Sequence, residues 1–407
     1  MRVLAVRVPT GMTAEIVEPT EEHREQIAGA LSVSINVPLE RAIQNAPHLK
    51  LDDIRVAVQD ERVIATAGEF RFDQWFGGRA IDCCGITRVG TLPEHRAEGL
   101  ATACTDALLT RARERGTPIA SLFPAVLKPY RRMGFEIAGS YTDHRLALDA
   151  ISHERVAPQA ELVDVDRDLA GIREAYREWV RPANGPVEPT SDEHWRVRII
   201  TKPDDPAYRA VVVRENDRIT GFAAFSHEAD PGPLDVAFGL SCNAFFWTTT
   251  SALRGLLNYF RGFRGLGKWV EWSGPASDPL AMATAEAFLT TPFRYDWMLR
   301  LLDVPAALEA RGYPRIDADA VIAVRDERWP DDTGPWQIQV REGVARVTAA
   351  PDQSASPIDV GVLASIFSGF LRVPDAVRLG VMDGADPSLE ALDAMFSGPD
   401  PWCPFFF

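Results

Sequence analysis

Residues 87–101 read Thr-Arg-Val-Gly-Thr-Leu-Pro-Glu-His-Arg-Ala-Glu-Gly-Leu-Ala and lie where a strand pattern hands over to a helix pattern. Arg96, Gly99 and Ala101 fall in the order Arg-x-x-Gly-x-Ala, which puts small residues at the first turn of that helix. Backbone N–H groups there have no intrahelical partner and stand at the positive end of the helix dipole. Small side chains let a diphosphate come close enough to accept their hydrogen bonds. The local charge agrees: from Arg88 to Arg132 there are eight basic and four acidic residues, in a chain of net charge −15. Taken alone, so short a segment also describes a glycine-containing helix entry without a ligand. Its position after a strand ending in Pro-Glu-His-Arg, and the downstream Lys128-Pro129-Tyr130-Arg131-Arg132-Met133-Gly134-Phe135, favour the ligand.

Other chemistries lack their residues. Gly262 to Lys268 nearly spells a phosphate loop, but Trp269 stands where Ser or Thr must bind magnesium, and the order is helix to strand. The seven histidines include no HxxxH or HxH pair, so no metal site is implied. No Gly-x-Ser-x-Gly elbow occurs. The five cysteines form no CxxC pair, which argues for a reducing compartment, and Cys83-Cys84 on a predicted strand default to packing. A net charge of −15 excludes nucleic acid and anionic membrane as partners of the bulk surface, and favours a cationic substrate. No uncharged apolar run reaches the ~18 residues of a membrane span. The opening MRVLAVRVPTGMTAE is too broken for a signal peptide, so a cytoplasmic location is expected.

Elements must position these residues. At ~100–200 residues per domain, 407 residues imply two to four domains. The first 150 read β-α-α-β-β-β-α-β-α-β, with strands at 14–19, 54–59, 63–72, 80–92 and 119–123 and a helix from Glu98 to Arg115. That is an α/β sandwich whose antiparallel sheet turns into a βαβ unit. From Arg155 to Trp297 a weaker copy recurs, with a helix at Asp168–Val180, a hairpin across Asn216-Asp217, a helix at Ser251–Phe263 and a strand at 268–272. It lacks the glycine-rich turn. Beyond Leu299 the pattern changes to α+β: a helix over 301–313 stopped by Gly312, strands at 320–327 and 336–350, and helices at Ile358–Phe370 and Ser388–Phe396.

The strand-to-helix turn and the Tyr130 segment together resemble the GNAT acetyltransferases. Nearly the whole chain is similar to one branch, the Eis (enhanced intracellular survival) acetyltransferases. Three marks carry this: Pro-x-His-Arg-x-x-Gly-Leu at 93–100, LRLLDVPAALEARGY at 299–313, and Pro-Trp-Cys at 401–403 before the terminal Phe407. The resemblance implies two tandem GNAT-like domains, α/β in class, followed by a sterol-carrier-protein-like α+β domain. The expected divisions are 1–150 (catalytic), 151–297 (without the cofactor loop) and 298–407.

It implies acetyl-CoA as cosubstrate and no metal. Val89, Gly90 and Thr91 would present strand backbone to the pantetheine arm and thioester. Arg96, Ala97, Glu98, Gly99, Leu100, Ala101 and Thr102 would form the diphosphate turn, with Ala125 and Val126 lining the cofactor further along. Tyr130 would protonate the leaving thiolate; a phenol of pKa ~10 keeps its proton at neutral pH. The α-carboxylate of Phe407 would be the general base. Three terminal phenylalanines and Trp402 are costly to leave in water, and burying them takes the carboxylate inside. An aromatic staple that merely pins the tail is the plainer alternative. Substrates implied are primary amines (aminoglycosides, polyamines, lysine side chains), and the assembly implied is a homohexamer. Two departures stand out: Glu98 is acidic where relatives are often basic, and Phe406 replaces an acid that some relatives carry. A non-catalytic binder of amines, or a lipid carrier built on the C-terminal domain, are the rival functions.

Overall fold

The computed structural model describes residues 4–7, 13–202, 204–230, 236–283, 289–330, 333–350 and 356–407. The first strands are β1 (Leu4–Arg7) and β2 (Thr13–Val17), followed by helices α1 (Arg24–Ile35) and α2 (Leu39–Asn45). Next come β3 (Ile54–Gln59), β4 (Arg62–Phe76) and β5 (Arg79–Thr91). Tight turns join them: Asp60 and Glu61 both have positive φ, as do Gly77 and Gly78, the geometry that twists two strands into a hairpin. Then α3 (Leu100–Glu114), β6 (Ile119–Leu122), α4 (Leu127–Arg132) and β7 (Glu136–Ala147) follow. Alternation along β4 and β5 gives the sheet two buried sides. Ile27 and Leu31 of α1 and Leu100, Cys104 and Leu108 of α3 cover one side. Phe72, Phe76 and Cys83 point to the other, into a core shared with the C-terminal residues.

The next stretch comprises β8 (Ala160–Leu162), α5 (Val165–Val180), β9 (Val187–Pro189) and α6 (Asp192–His194), which runs on as a π-helical Trp195–Ile200. It continues as β10 (Arg209–Glu215), β11 (Arg218–Ala229), β12 (Phe238–Trp247), α7 (Thr250–Arg261), β13 (Gly267–Gly274) and β14 (Thr290–Leu301). The sequence pattern missed β12, β14 and the π-helical segment. The Asn216-Asp217 hairpin forms as expected, with both residues at positive φ. What the pattern could not show is the joining of the two halves. Their strands make one 14-stranded sheet in which β14 lies between β6 and β7, and β7 lies between β14 and β13. Each half's last strand thus inserts into the other half.

The helix expected over 301–313 is a correction. Leu301 ends β14, and α8 spans only Val304–Ala310. Asp303 caps it by accepting from the Ala306 N–H at 2.9 Å, and Pro305 occupies the first turn, where its missing N–H costs nothing. The rest is β15 (Ala318–Arg325), β16 (Trp336–Arg341), β17 (Val344–Ala349), β18 (Pro357–Asp359), α9 (Val360–Ser368), α10 (Val373–Arg378) and α11 (Leu389–Phe396). Its four strands form a separate sheet, β17-β16-β15-β18. Among the described residues, no helix is long and apolar enough to cross a membrane.

Candidate active site

β5 and β6 run parallel, pairing Cys83 to Ile86 with Ile119 to Leu122. There β6 stops, while β5 runs on to Thr91. The last five residues of β5 therefore have no partner on that side, and a slot opens at the carboxyl ends of the two strands. This is where ligands bind in sheets of this kind. Val89 to Thr91 line its β5 rim, and residues 96–102 follow directly as the turn into α3.

Val89, Gly90 and Thr91 form the β5 rim of the slot. Between Thr66↔Gly90 and Gly68↔Thr87 the β4–β5 register shifts, so Arg88 and Val89 oppose the single residue Ala67. Arg88 takes a φ of 53° to make this bulge. A bulge leaves backbone groups unpaired and re-aims them, here at the slot. Gly90 must be small, because a Cβ there would lie 2.1 Å from the Ser34 hydroxyl of α1.

Arg96 to Thr102 follow as an open turn into α3. Ala97 and Gly99 both adopt positive φ, 67° and 80°. Gly99 is the N-cap of α3 and supplies no side-chain cap, so the first helical N–H groups stay available. A Cβ on Gly99 would meet nothing within 4 Å, so the turn opens on free space. Glu98 turns away from that space. Its carboxylate meets the His95 Nδ1 at 3.2 Å and its side chain is 13% exposed. The residues of this turn fit a diphosphate, and Glu98 is no obstacle to it. Ala125 and Val126 are exposed in the loop between β6 and α4.

Tyr130 lies in α4, its ring edge-on to Phe135 at 6.2 Å and packed toward the α1/α3 side of the sheet. Burial, and secondly Tyr295, push its pKa up to about 12. Its hydroxyl makes no hydrogen bond among the described residues. The chain end arrives from the opposite side of the sheet. Trp402 N–H donates to Asn184 O, and Cys403 N–H to Ser140 O, both at 3.0 Å, which stitches the tail to β7. Gly139 and Gly185 make room for it: a Cβ on either would lie 2.6 Å from a tail carbonyl oxygen. Phe405 stacks on Tyr176 at 6.0 Å, Phe406 on Phe123 at 4.2 Å, and Phe407 tilts against Phe72 at 4.6 Å and Phe123 at 5.1 Å. Phe406 stays 57% exposed, however, so the expected burial of all three rings is not met. Phe123 is the residue with which the chain leaves β6, so the last two rings pack beside the carboxyl end of that strand. Tyr295 neighbours Tyr130 electrostatically and meets the Phe406 ring at 5.8 Å, while Tyr130 and the Phe407 ring pack on opposite sides of the sheet.

Sequence patterning missed Phe123, Tyr295 and Asn184. Phe123 was legible only as an apolar strand end, and Tyr295 lies on a strand that the pattern did not reveal. Asn184 sits in an ordinary-looking Pro-Ala-Asn-Gly loop, yet it is buried and holds three backbone groups. Its Oδ1 accepts from Gly77 N–H at 2.9 Å, its Nδ2 donates to Pro399 O at 3.3 Å, and its carbonyl accepts from Trp402. No group of three or more His, Cys, Asp or Glu able to hold a metal occurs among the described residues.

Three family models match the chain: an acetyltransferase (GNAT) domain over residues 15–138, a second acetyltransferase (GNAT) domain over 190–301, and a sterol carrier protein domain over 304–404. An uncharacterized N-acetyltransferase of Streptomyces griseus is 28% identical over 361 residues, covering 81% of this chain and 83% of that one. The N-acetyltransferase Eis of Mycobacterium tuberculosis is 26% identical over 370 residues, covering 86% and 82%. Among solved structures, a GCN5-related N-acetyltransferase from Anabaena variabilis superposes with a TM-score of 0.87 at 22% identity, over 97% of this chain and all of that one. Eis1 from Mycobacterium abscessus does so with a TM-score of 0.77 at 23% identity, again over 97% and 100%. These structural likenesses establish the fold: two GNAT domains and a sterol-carrier-like domain.

Proposed function

We propose, for a chain that belongs to the Eis-type GNAT N-acetyltransferases, direct transfer of acetyl from acetyl-CoA to a primary amine, with Tyr130 as general acid and the Phe407 α-carboxylate as general base. The carboxylate takes a proton from the amine, directly or through one water, and frees its lone pair to attack the thioester carbon. The Val89 N–H on the bulge donates to the oxygen as negative charge develops there. Tyr130 then gives its proton to the departing sulfur. Arg96 and the N–H groups of residues 97–102 hold the diphosphate, and Ala125 and Val126 line the path of the arm. The acceptors in view are aminoglycosides, polyamines and lysine side chains. The working division is 1–150, 151–297 and 298–407, and the proposed assembly is a homohexamer, on resemblance alone.

One observation supports this reading: the terminal rings pack on Phe123, directly after β6, and on Phe72 of β4, at 4.2 and 4.6 Å. A lipid carrier built on the C-terminal unit has no use for a tail directed there, and a pure binder releases no thiol. The test is steady-state thiol release from acetyl-CoA with a panel of amines, on the native chain and on a chain with one residue added after Phe407. The addition moves the carboxylate by ~3.5 Å and should abolish turnover with the melting temperature unchanged. Full activity in the extended chain would remove the carboxylate from the mechanism.

A further inference from the structure

Gly68, Phe70 and Phe72 alternate onto one side of β4. Phe72 meets the Phe407 ring there, so this is the side from which the chain end reaches the slot. Phe70 meets Phe72 at 5.6 Å and the His194 imidazole at 4.7 Å. Arg198 follows His194 by four residues in the same helical segment, about one turn on, and its carbonyl is fixed by the Asn243 Nδ2 at 2.7 Å. From the bulge, Arg88 comes onto the same side: a Cβ on Gly68 would touch the Arg88 Cβ and Cδ, both at 3.5 Å. Arg88 therefore lies on the side of β4 that the Phe407 ring occupies, and Arg198 follows one helical turn after the His194 that meets Phe70.

Neither is paired. Among the described residues, no carboxylate lies within salt-bridge distance of Arg88 or Arg198. Asp53 acts on Arg88 only from further off and is itself bridged to Arg111 at 3.7 Å. In a chain with 58 acidic residues and 43 basic ones, acids are not scarce. Arg88 and Arg198 are both exposed side chains. Desolvation first, and Arg198 second, lower the Arg88 pKa, so Arg198 is near enough to act on it by charge. Burial, then Arg198 and Lys50, push His194 down to about 4. The imidazole is therefore neutral at physiological pH and adds no repulsion of its own.

We propose that Arg88 and Arg198 form an anion subsite on the acceptor side, and that the preferred acceptor is an amine that also carries a carboxylate or phosphate. The planar guanidinium fork suits both anions. An oxyanion between the two removes their mutual repulsion and orients the amine from its far end. A polycation has the opposite fate: the whole chain attracts it, but these two charges meet it at the door. This inference rests on the acetyltransferase reading, because the chain end defines the acceptor side.

Three acceptors of equal length separate the cases: 6-aminohexanoate, 6-aminohexanol and 1,6-diaminohexane, with O-phosphoethanolamine to distinguish phosphate from carboxylate. The native chain should give kcat/KM for at least one anionic amine ~10-fold or more above the neutral alcohol, with the diamine lowest. In Arg198→Gln the anion-to-neutral ratio should collapse toward one, and Arg198→Lys should restore part of it. Because each ratio is taken within one variant, a general loss of activity cancels. Turnover of the alcohol and the diamine at or above the rate of both anions, or a ratio unmoved by Arg198→Gln, overturns the subsite and leaves the acetyltransferase standing. Thiol release with none of the four but with an aminoglycoside or a lysine peptide also overturns the subsite, and a failure to release thiol with any amine overturns the acetyltransferase reading itself.

Discussion

A general acid that must protonate a thiolate needs a proton it keeps until sulfur carries charge. Tyr130, the acid we propose, would meet that need by burial. Its pKa, raised to about 12 by desolvation and by Tyr295, keeps the hydroxyl protonated throughout any working range. The protonated form is the active one, so the native rate should show no alkaline limb from this residue below about pH 10. Tyr130→Phe keeps the ring against Phe135 and removes only the proton, and should lower kcat ~10²-fold or more while the KM for acetyl-CoA barely moves. An unchanged kcat would assign the tyrosine to packing. The sequence made this residue visible through its type and its neighbours Arg131 to Phe135. It could not make Arg88, His194 or Arg198 visible, because nothing in a motif says which strand and which distant helix will share a cleft. Glu98 shows the same limit in reverse: as a letter it threatened the diphosphate, and as a side chain it is spent on His95.

The glycine of the Arg-Arg-Met-Gly-Phe segment has a physical reason that lies in another element. Gly134 links α4 to β7 at a φ of 81°. A Cβ there would stand 1.7 Å from the Nη1 of Arg300 on β14. Arg300 cannot yield: it is 1% exposed and paired with Asp326 at 2.6 Å, and Trp329 lies over its guanidinium at 4.6 Å. Gly134→Ala should therefore combine left-handed strain with disruption of a buried ion pair, costing ~3 kcal/mol or more by urea denaturation. A loss under 1 kcal/mol would mean that Arg300 repacks freely. At this scale the sequence was legible where a pattern is local. The Asp60-Glu61 and Asn216-Asp217 turns follow from turn chemistry, and the expected strands 54–59 and 63–72 and helix 98–115 are found as Ile54–Gln59, Arg62–Phe76 and Leu100–Glu114. It failed at Leu301, where an apolar run that ends a strand looks like the start of a helix until Asp303 and Pro305 fix the boundary. The π-helical Trp195–Ile200 has no period of its own to read.

Across the whole molecule, the decisive feature is the exchange of last strands. β14 is hydrogen-bonded to β6 on one side and β7 on the other, and its Trp297, Met298 and Leu299 are at most 1% exposed. Sheet pairing between remote segments leaves no mark on composition, so the two halves read as separate copies although they share one sheet. Exchange also explains how the chain end comes to pack on Phe123, more than 250 residues earlier in the sequence. β7 is carried into the second half's strands, and the tail follows it back along Ser140 to Phe123. The first 150 residues expressed alone lose β14, which leaves β6 and β7 with open edges and uncovers the apolar side that β14 and the tail occupy. Unpaired edges of that kind template aggregation. The fragment is expected to be insoluble, or soluble without a cooperative thermal transition, whereas a chain ending after Leu301 restores β14 and should regain most of the native circular dichroism. A fragment 1–150 that melts cooperatively would show that the half closes its own sheet, and that the exchanged strands add the site without being needed for the fold.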